Sequence, residues 1–299
     1  MAGAYRPPKL RFRKAPLSKS RELAVALAAL AVGTVLAGCQ PGSADRAPAS
    51  ASDEARIVAA VNDARFTNLK ALEPAEGAAY VPTVLKLQIL LDRARFSPGE
   101  ISGLMNETTL QALKGFEAAS GLPADGVLDK DAWDRLTAAD KRPVLLAYVI
   151  DPTDVSGPFT ELVPDSFQAQ SRLTSLGYRD SAELLSETFH LSPALLKALN
   201  PGVELATGAS LVVPDRGADD LGVDIGLVEI DIAAGQVRAY GADQHLLALY
   251  PATVGSEKSP APVGMTEVVA IEGQPTYRYE QDKVGFGAGL GRAAFEIAP

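Results

Sequence analysis

Residues Thr109–Trp133 read TLQALKGFEAASGLPADGVLDKDAW. Leu110, Leu113 and Phe116 recur at helical spacing, and Asn106, just upstream, offers a side-chain oxygen to cap the helix. Gly121 stands where a helix end calls for a left-handed residue. The loop GLPADGVLD, Gly121–Asp129, follows. Its Gly121 and Gly126 permit positive φ, and its Leu122 and Val127 are expected to pack. Asp129 then precedes a short helix with Trp133 and Leu136 facing inward. Upstream, VPTVLKLQILLDRARF (Val81–Phe96) places Leu87, Leu90, Leu91 and Ala94 at i, i+3, i+4 and i+7, one helical face. SPGEISG, Ser97–Gly103, is a turn. The expectation is a small domain of three short helices over residues 76–140.

Together with Leu87-Gln88 and Leu136, these residues resemble the peptidoglycan-binding three-helix module of bacterial cell-wall proteins. The resemblance implies glycan-peptide binding by the module, with peptidoglycan as partner. It points to Gly121, Leu122, Asp125 and Gly126 of the loop as contact residues.

The N-terminus carries a different signal. Arg6, Lys9, Arg11, Arg13, Lys14, Lys19 and Arg21 come before any acid, and LAVALAALAVGTVLAGC (Leu23–Cys39) is uncharged. A basic segment, a short apolar core and a small-residue end read as a secretory signal over residues 1–38. The run is short of the roughly 20 residues of a transmembrane helix. Leu36-Ala37-Gly38-Cys39 resembles the bacterial lipobox, which implies lipidation of Cys39; the alternative is a plain signal with an incidental cysteine. Each buried acyl methylene adds about 0.8 kcal/mol of membrane affinity. The resemblance thus implies a lipid-anchored protein of the cell envelope, held to membrane by its N-terminal lipid, and Gln40 rather than Asp after the cysteine favours the outer one. QPGSADRAPASAS, residues 40–52, is too poor in apolar side chains to order itself and reads as a tether. A lead-in helix capped by Ser52 or Asp53 completes the segment 39–75.

Beyond the helical module, RPVLLAYVIDPTDVSGPF (Arg142–Phe159) reads as a strand followed by a Pro/Gly turn, and DSAELLSETFHLSPALLKALNPG (Asp180–Gly202) as helix, turn, helix. Ser192 is an N-cap with Pro193 in the first turn, Leu195, Leu196 and Leu199 face inward, and Asn200-Pro201 ends the helix. GASLVVPD is a strand. This order resembles a LysM-like carbohydrate-binding βααβ unit, over residues 141–216. His190, at the helix junction, reads as a packing or surface residue, and no second metal ligand stands near it in motif spacing.

From residue 222 the period becomes two. Val228, Ile230 and Ile232 alternate with Glu229 and Asp231, which predicts a half-buried antiparallel strand opening a β-meander, with MTEVVAI (Met265–Ile271) as a further strand. YPATVG…SPAPVGMTEV (Tyr250–Val268), PTYRYE and FEIAP resemble the opening of the L,D-transpeptidase (YkuD-type) catalytic domain. That family is implied to use a cysteine thiolate nucleophile, a histidine base and an N–H oxyanion hole. Its Ser/His-Gly-Cys-Arg motif does not occur by Pro299, and His245 matches no catalytic position. Ser256 and Ser259 have no histidine near them in sequence. Residues 222–299 are therefore expected to be a partial catalytic domain, inactive as given, and residues after about 270 are expected to be poorly ordered.

The fold class expected is α+β multidomain: a three-helix unit, a LysM-like unit and a partial all-β domain. No catalytic residue, metal ligand or cofactor is assigned. One cysteine in 299 residues excludes an internal disulfide. From Cys39 onward Lys+Arg falls from 28 to 21 and Asp+Glu from 37 to 36, so formal charge moves from −9 to −15. Such a surface repels nucleic acid. Two functional readings remain: an L,D-transpeptidase lacking its catalytic motif, or a non-catalytic lipid-anchored peptidoglycan-binding lipoprotein.

Overall fold

The computed structural model describes residues 51–67, 72–160, 162–164, 166–173, 176–217, 221–255, 260–270, 277–280 and 294–297. Residues 1–38, expected to be a secretory signal, and Cys39, Gln40, Ser256 and Ser259 lie outside the described residues. Among those described, no helix is long and apolar enough to cross a membrane.

The chain is mixed helix and sheet. Helix α1 (Ala51–Asn62) begins ahead of the expected caps, so Asp53 and Glu54 occupy its first turn, where acids favour the helix dipole. Helices α2 (Pro82–Arg93), α3 (Glu107–Ala119) and α4 (Lys130–Ala139) form the three-helix unit. Asn106 caps α3 by accepting from Thr109 N, and Asp129 caps α4 by accepting from Ala132 N. Leu85, Leu87, Leu91, Leu113, Phe116, Trp133 and Leu136 are buried between them. Leu110 is only half-buried, and Ala112 takes the deeper position.

Gln88 explains how α2 holds the turn before α3. It is fully buried, its amide donates to Leu104 O (3.0 Å) and Thr109 Oγ1 (2.9 Å), and its carbonyl accepts from Ser102 N and Gly103 N. All of its main hydrogen-bonding capacity is used, which removes the cost of burying an amide. Gly103 has no alternative residue there, because a Cβ would come within 2.5 Å of Tyr80 Cβ.

Strand β1 (Leu145–Val149) and strand β2 (Ser210–Pro214) pair antiparallel, Leu145 opposite Pro214 and Val149 opposite Ser210. Among the described residues four helices lie between them, where two were expected. Helix α5 (Pro152–Ser156) replaces the front of the anticipated turn, because Asp151 and Asp154 form a reciprocal capping box around Pro152. Helix α6 (Phe167–Gln170) is one turn, and helices α7 (Ser181–Thr188) and α8 (Pro193–Leu199) are the expected pair. Ser192 caps α8 as read, with Leu195, Leu196 and Leu199 buried. Asn200 is buried and ties α8 to β2: its amide donates to Leu196 O and Val212 O, and its carbonyl accepts from Val212 N.

Strands β3 (Leu227–Asp231), β4 (Gln236–Tyr240) and β5 (Leu246–Pro251) form an antiparallel meander. The alternation that located β3 does not bury it. Val228, Ile230 and Ile232 are 47, 58 and 46 % exposed, because the sheet packs on α3 through β5, and burial within it falls on Gln236, Ala239, Ala248 and Leu249 of β4 and β5. Met265–Ala270 forms no strand, and Met265 and Val269 are largely exposed. Further on, β6 (Tyr277–Glu280) and β7 (Ala294–Ile297) pair antiparallel.

The described residues fall within the unit Asp45–Pro299. One buried apolar cluster includes Leu91 of α2, Leu113 of α3, Leu145 of β1, Leu195 of α8 and Leu249 of β5. The link is the segment joining α2 to α3. Leu249 N donates to Arg95 O (2.9 Å) and Ser97 N donates to Leu249 O (2.8 Å), extending the β5 edge. Four residues after Ser97, Ile101 N donates to His190 O (2.8 Å) and Ser192 N donates to Ile101 O (2.9 Å). A loop that would otherwise leave backbone groups unpaired is thus satisfied on both sides.

Candidate functional site

The loop Gly121–Asp129 leaves α3 through Ser120 and enters α4 at Asp129. Gly121 (φ +69°) is exposed and its missing Cβ faces open space. Leu122 is half-buried and packs against the core, and its N–H donates to Glu117 O. Asp125 is exposed and its Oδ1 accepts from Val127 N (2.8 Å), closing a local turn. Gly126 (φ +76°) is buried, and its N–H donates to Glu117 Oε2 at 2.9 Å. Of the four residues singled out, Gly121 and Asp125 face solvent, Leu122 is half-covered, and Gly126 is enclosed and shapes the turn. Val127 is exposed, contrary to expectation, and Leu128 is the one that packs: the turn closed by Asp125 rotates the inward position by one residue.

Glu117 carried no sequence signal beyond being an acid on the inner side of an amphipathic helix. Burial pushes its carboxyl above the usual carboxylate range, partly offset by the Gly126 N–H, while Asp125 and Asp129 push it further up.

Residues 81–136 match the model of the family described as "Putative peptidoglycan binding domain". This segment is a peptidoglycan-binding domain. No curated protein matches the chain. The match starts at the cap of α2 and ends at Leu136 of α4, so it spans the core of the three-helix unit and the whole glycine-punctuated loop.

A second concave surface lies between α8 and β2. The cavity, about 610 Å³, is lined by Asn200, Gly202, Val203, Glu204 and Ser210 together with Glu54 of α1. A third, about 450 Å³, lies where the α2–α3 segment, α7 and β5 meet. His190 lines it. The residue adopts φ +57°, its Nδ1 lies 2.9 Å from Asp92 Oδ2, and Arg216 Nη1 lies 3.1 Å from its Nε2. A guanidinium only donates, so Nε2 accepts and Nδ1 carries the proton donated to Asp92. His190 is therefore more than a packing residue: it bridges the two modules. The residues it joins are 98 and 26 positions away, and no local motif signals that.

His245 sits in the β4–β5 turn, its N–H bonded to Asp243 Oδ1 and its carbonyl accepting from Gly241 N. Among the described residues there is no group of His, Cys, Asp and Glu arranged to hold a metal ion.

Proposed function

We propose that the chain is a lipid-anchored envelope protein that binds peptidoglycan through residues 81–136. The family match over those residues is the observation that carries this reading. The lipobox-like LAGC at Cys39 supports the anchor, and it supplies the secretory route that a wall-binding domain requires. The antiparallel β1–β2 pair enclosing α7 and α8 supports a LysM-like unit as a second carbohydrate-binding element, with the cavity beside β2 as its groove.

A second reading is favoured by Tyr250–Val268, whose YPATVG…SPAPVGMTEV resembles the L,D-transpeptidases, and by the β3–β4–β5 meander that leads into it. Cross-linking in that family needs a cysteine thiolate with a histidine base. The only cysteine in residues 1–299 is Cys39, so the function proposed for these residues is binding.

The test is co-sedimentation of the purified chain with isolated sacculi. Pelleting with sacculi, and release by prior muramidase digestion, is expected. Protein left in the supernatant would overturn the binding reading. Release of a terminal D-residue from stem peptides by the same preparation would overturn the non-catalytic part.

A further inference from the structure

The β3–β4–β5 sheet has two edges, and only one of them is closed. On the β5 side, Leu249 N donates to Arg95 O and Leu249 O accepts from Ser97 N, so the α2–α3 segment covers that edge. The β3 side is open. Alternate residues of a strand turn their N–H and C=O away from the partner strand, and among the described residues none bonds to the outer side of Leu227–Asp231. Such an edge is a template for a further strand. Nothing in the backbone of β3 blocks one. The strand has no proline and no lysine, and it pairs with β4 residue for residue, with no bulge to twist it away. Residues 222–230 are all exposed.

Side chains decide which strand this edge accepts. Glu229 lies opposite Arg238 and Arg238 opposite Leu249, so Leu227, Glu229 and Asp231 share the face on which Leu249 meets α3. Val228 and Ile230 lie on the other face, about half exposed. Arg238 reaches both acids, at 3.5 Å from Glu229 and 3.2 Å from Asp231. It is the only arginine or lysine in residues 221–245, against the four acids Asp224, Glu229, Asp231 and Asp243. A strand laid beside β3 therefore meets surplus negative charge on one face and uncovered β-branched side chains on the other. Opposite charges on neighbouring strands stabilise the pair and like charges destabilise it. A second copy of β3 would bring two more carboxylates to the same edge and is disfavoured. A strand with basic residues at every second position fits, because side chains alternate between the faces.

We propose that β3 is a docking edge for an extended segment of a partner protein in which lysine or arginine alternates with β-branched apolar residues. The segment adds a fourth strand by pairing its backbone with Leu227–Asp231. Its basic side chains neutralise Glu229 and Asp231, and its apolar ones cover Val228 and Ile230. Main-chain bonds supply affinity in this mode of recognition, and the alternating side chains supply selectivity. The edge lies on the side of the sheet away from the α2–α3 segment, and its use does not depend on wall binding by residues 81–136.

The test is hydrogen–deuterium exchange of the full chain in detergent micelles, read by mass spectrometry. The probe is the peptide acetyl-Thr-Lys-Val-Lys-Val-Lys-Thr-amide. One control carries glutamate in place of each lysine. The other carries proline in place of each valine, which keeps the charge and removes backbone donors. The lysine–valine probe is expected to slow exchange saturably, with the slowing confined to residues 226–232 and their β4 partners. The proline peptide is expected to act at least about tenfold more weakly, the ratio for losing a net hydrogen bond, and the glutamate peptide is expected to have no effect. Glu229→Gln/Asp231→Asn keeps acceptors for Arg238 and is expected to weaken the response to the probe several-fold. The proposal is overturned if the probe slows nothing by about 5 mM, or if slowing spreads over the whole chain, as mere attraction to an acidic protein would give. It is also overturned if either control peptide matches the probe, or if the double variant responds as wild type does.

Discussion

The backbone N–H of Gly126 donates a 2.9 Å hydrogen bond to Oε2 of Glu117, so the floor of the Gly121–Asp129 loop rests on a carboxyl buried in α3. Burial raises that carboxyl's pKa. A folded-state value above the unfolded one means that the folded protein holds the proton longer, so stability declines as pH rises from about the ordinary 4.5 through the raised value. Glu117→Gln keeps an acceptor for Gly126 N without the charge. It is expected to melt above wild type at pH 7 and to match it at low pH. Glu117→Ala, which orphans the Gly126 N–H, is expected to cost about 1–3 kcal/mol at all pH values. Thermal melts from pH 3 to pH 8 check both.

The two glycines of that loop differ in a way that melts resolve. Both have positive φ, where a Cβ costs about 1–2 kcal/mol. At Gly121 a Cβ meets nothing within 4 Å, whereas at Gly126 it would come within 2.9 Å of the Lys114 side chain and 3.1 Å of Leu110 O. The lysine yields; the carbonyl of a packed helix does not. Gly126→Ala is therefore expected to cost about 1 kcal/mol more than Gly121→Ala, and equal losses would show that backbone conformation alone matters at both sites.

Arg93 is the electrostatic counterpart of the apolar core. Its side chain is 3 % exposed and reaches Asp140 beyond α4 (3.3 Å) and Asp215 after β2 (3.1 Å), while also donating to the backbone carbonyl of Asp215. Arg142 also reaches both carboxylates, at 2.6 and 3.4 Å, so replacing Arg93 by methionine removes one of two shared guanidiniums together with the donors to the Pro143 and Asp215 carbonyls, and is expected to cost about 1–3 kcal/mol. The hydrogen bond from Arg142, with Arg93 alongside, holds Asp140 down at about 2. For a depressed acid the stabilisation is complete above the unfolded value near 3.8 and is lost as pH falls towards about 2. Urea unfolding between pH 2 and pH 5 is expected to steepen in wild type and to flatten in Asp140→Asn.

Local chemistry was readable in advance; the joints between modules were not. Asn106, Asp129 and Ser192 cap helices because short polar side chains compete well for the first-turn N–H groups, and that preference is visible in three or four residues. Leu87 and Leu91 follow from helical periodicity in the same way. Periodicity also found β3, but the pattern of Val228, Ile230 and Ile232 reports which side chains share a face and not whether anything covers it. Val127 and Leu128 exchanged roles because one side-chain-to-backbone bond from Asp125 sets the turn's phase. The contacts of Ile101 with the His190–Ser192 backbone, and of His190 with Asp92, join positions nearly a hundred residues apart and leave no trace in either local pattern.

Gly115 shows how the sheet is seated on the binding domain. It lies inside α3, and a Cβ there would come within 2.9 Å of Leu249 Cδ1 and 3.0 Å of Phe96 Cδ1. The absent side chain lets Leu249, buried in β5, reach the helix while its backbone pairs with Arg95 and Ser97. Alanine at this position gains about 1 kcal/mol of helix propensity and loses a similar amount by pushing two side-chain ends aside, so Gly115→Ala is expected to stay within about 1 kcal/mol of wild type. Leucine cannot be accommodated that way. Gly115→Leu is expected to lift β5 from α3 at a cost of about 1–3 kcal/mol. Limited proteolysis then distinguishes the effect from general unfolding: cleavage should accelerate between residues 226 and 255 while the segment 81–136 stays protected. Equal protection of both segments would mean that β5 is held by its backbone bonds to Arg95 and Ser97 alone.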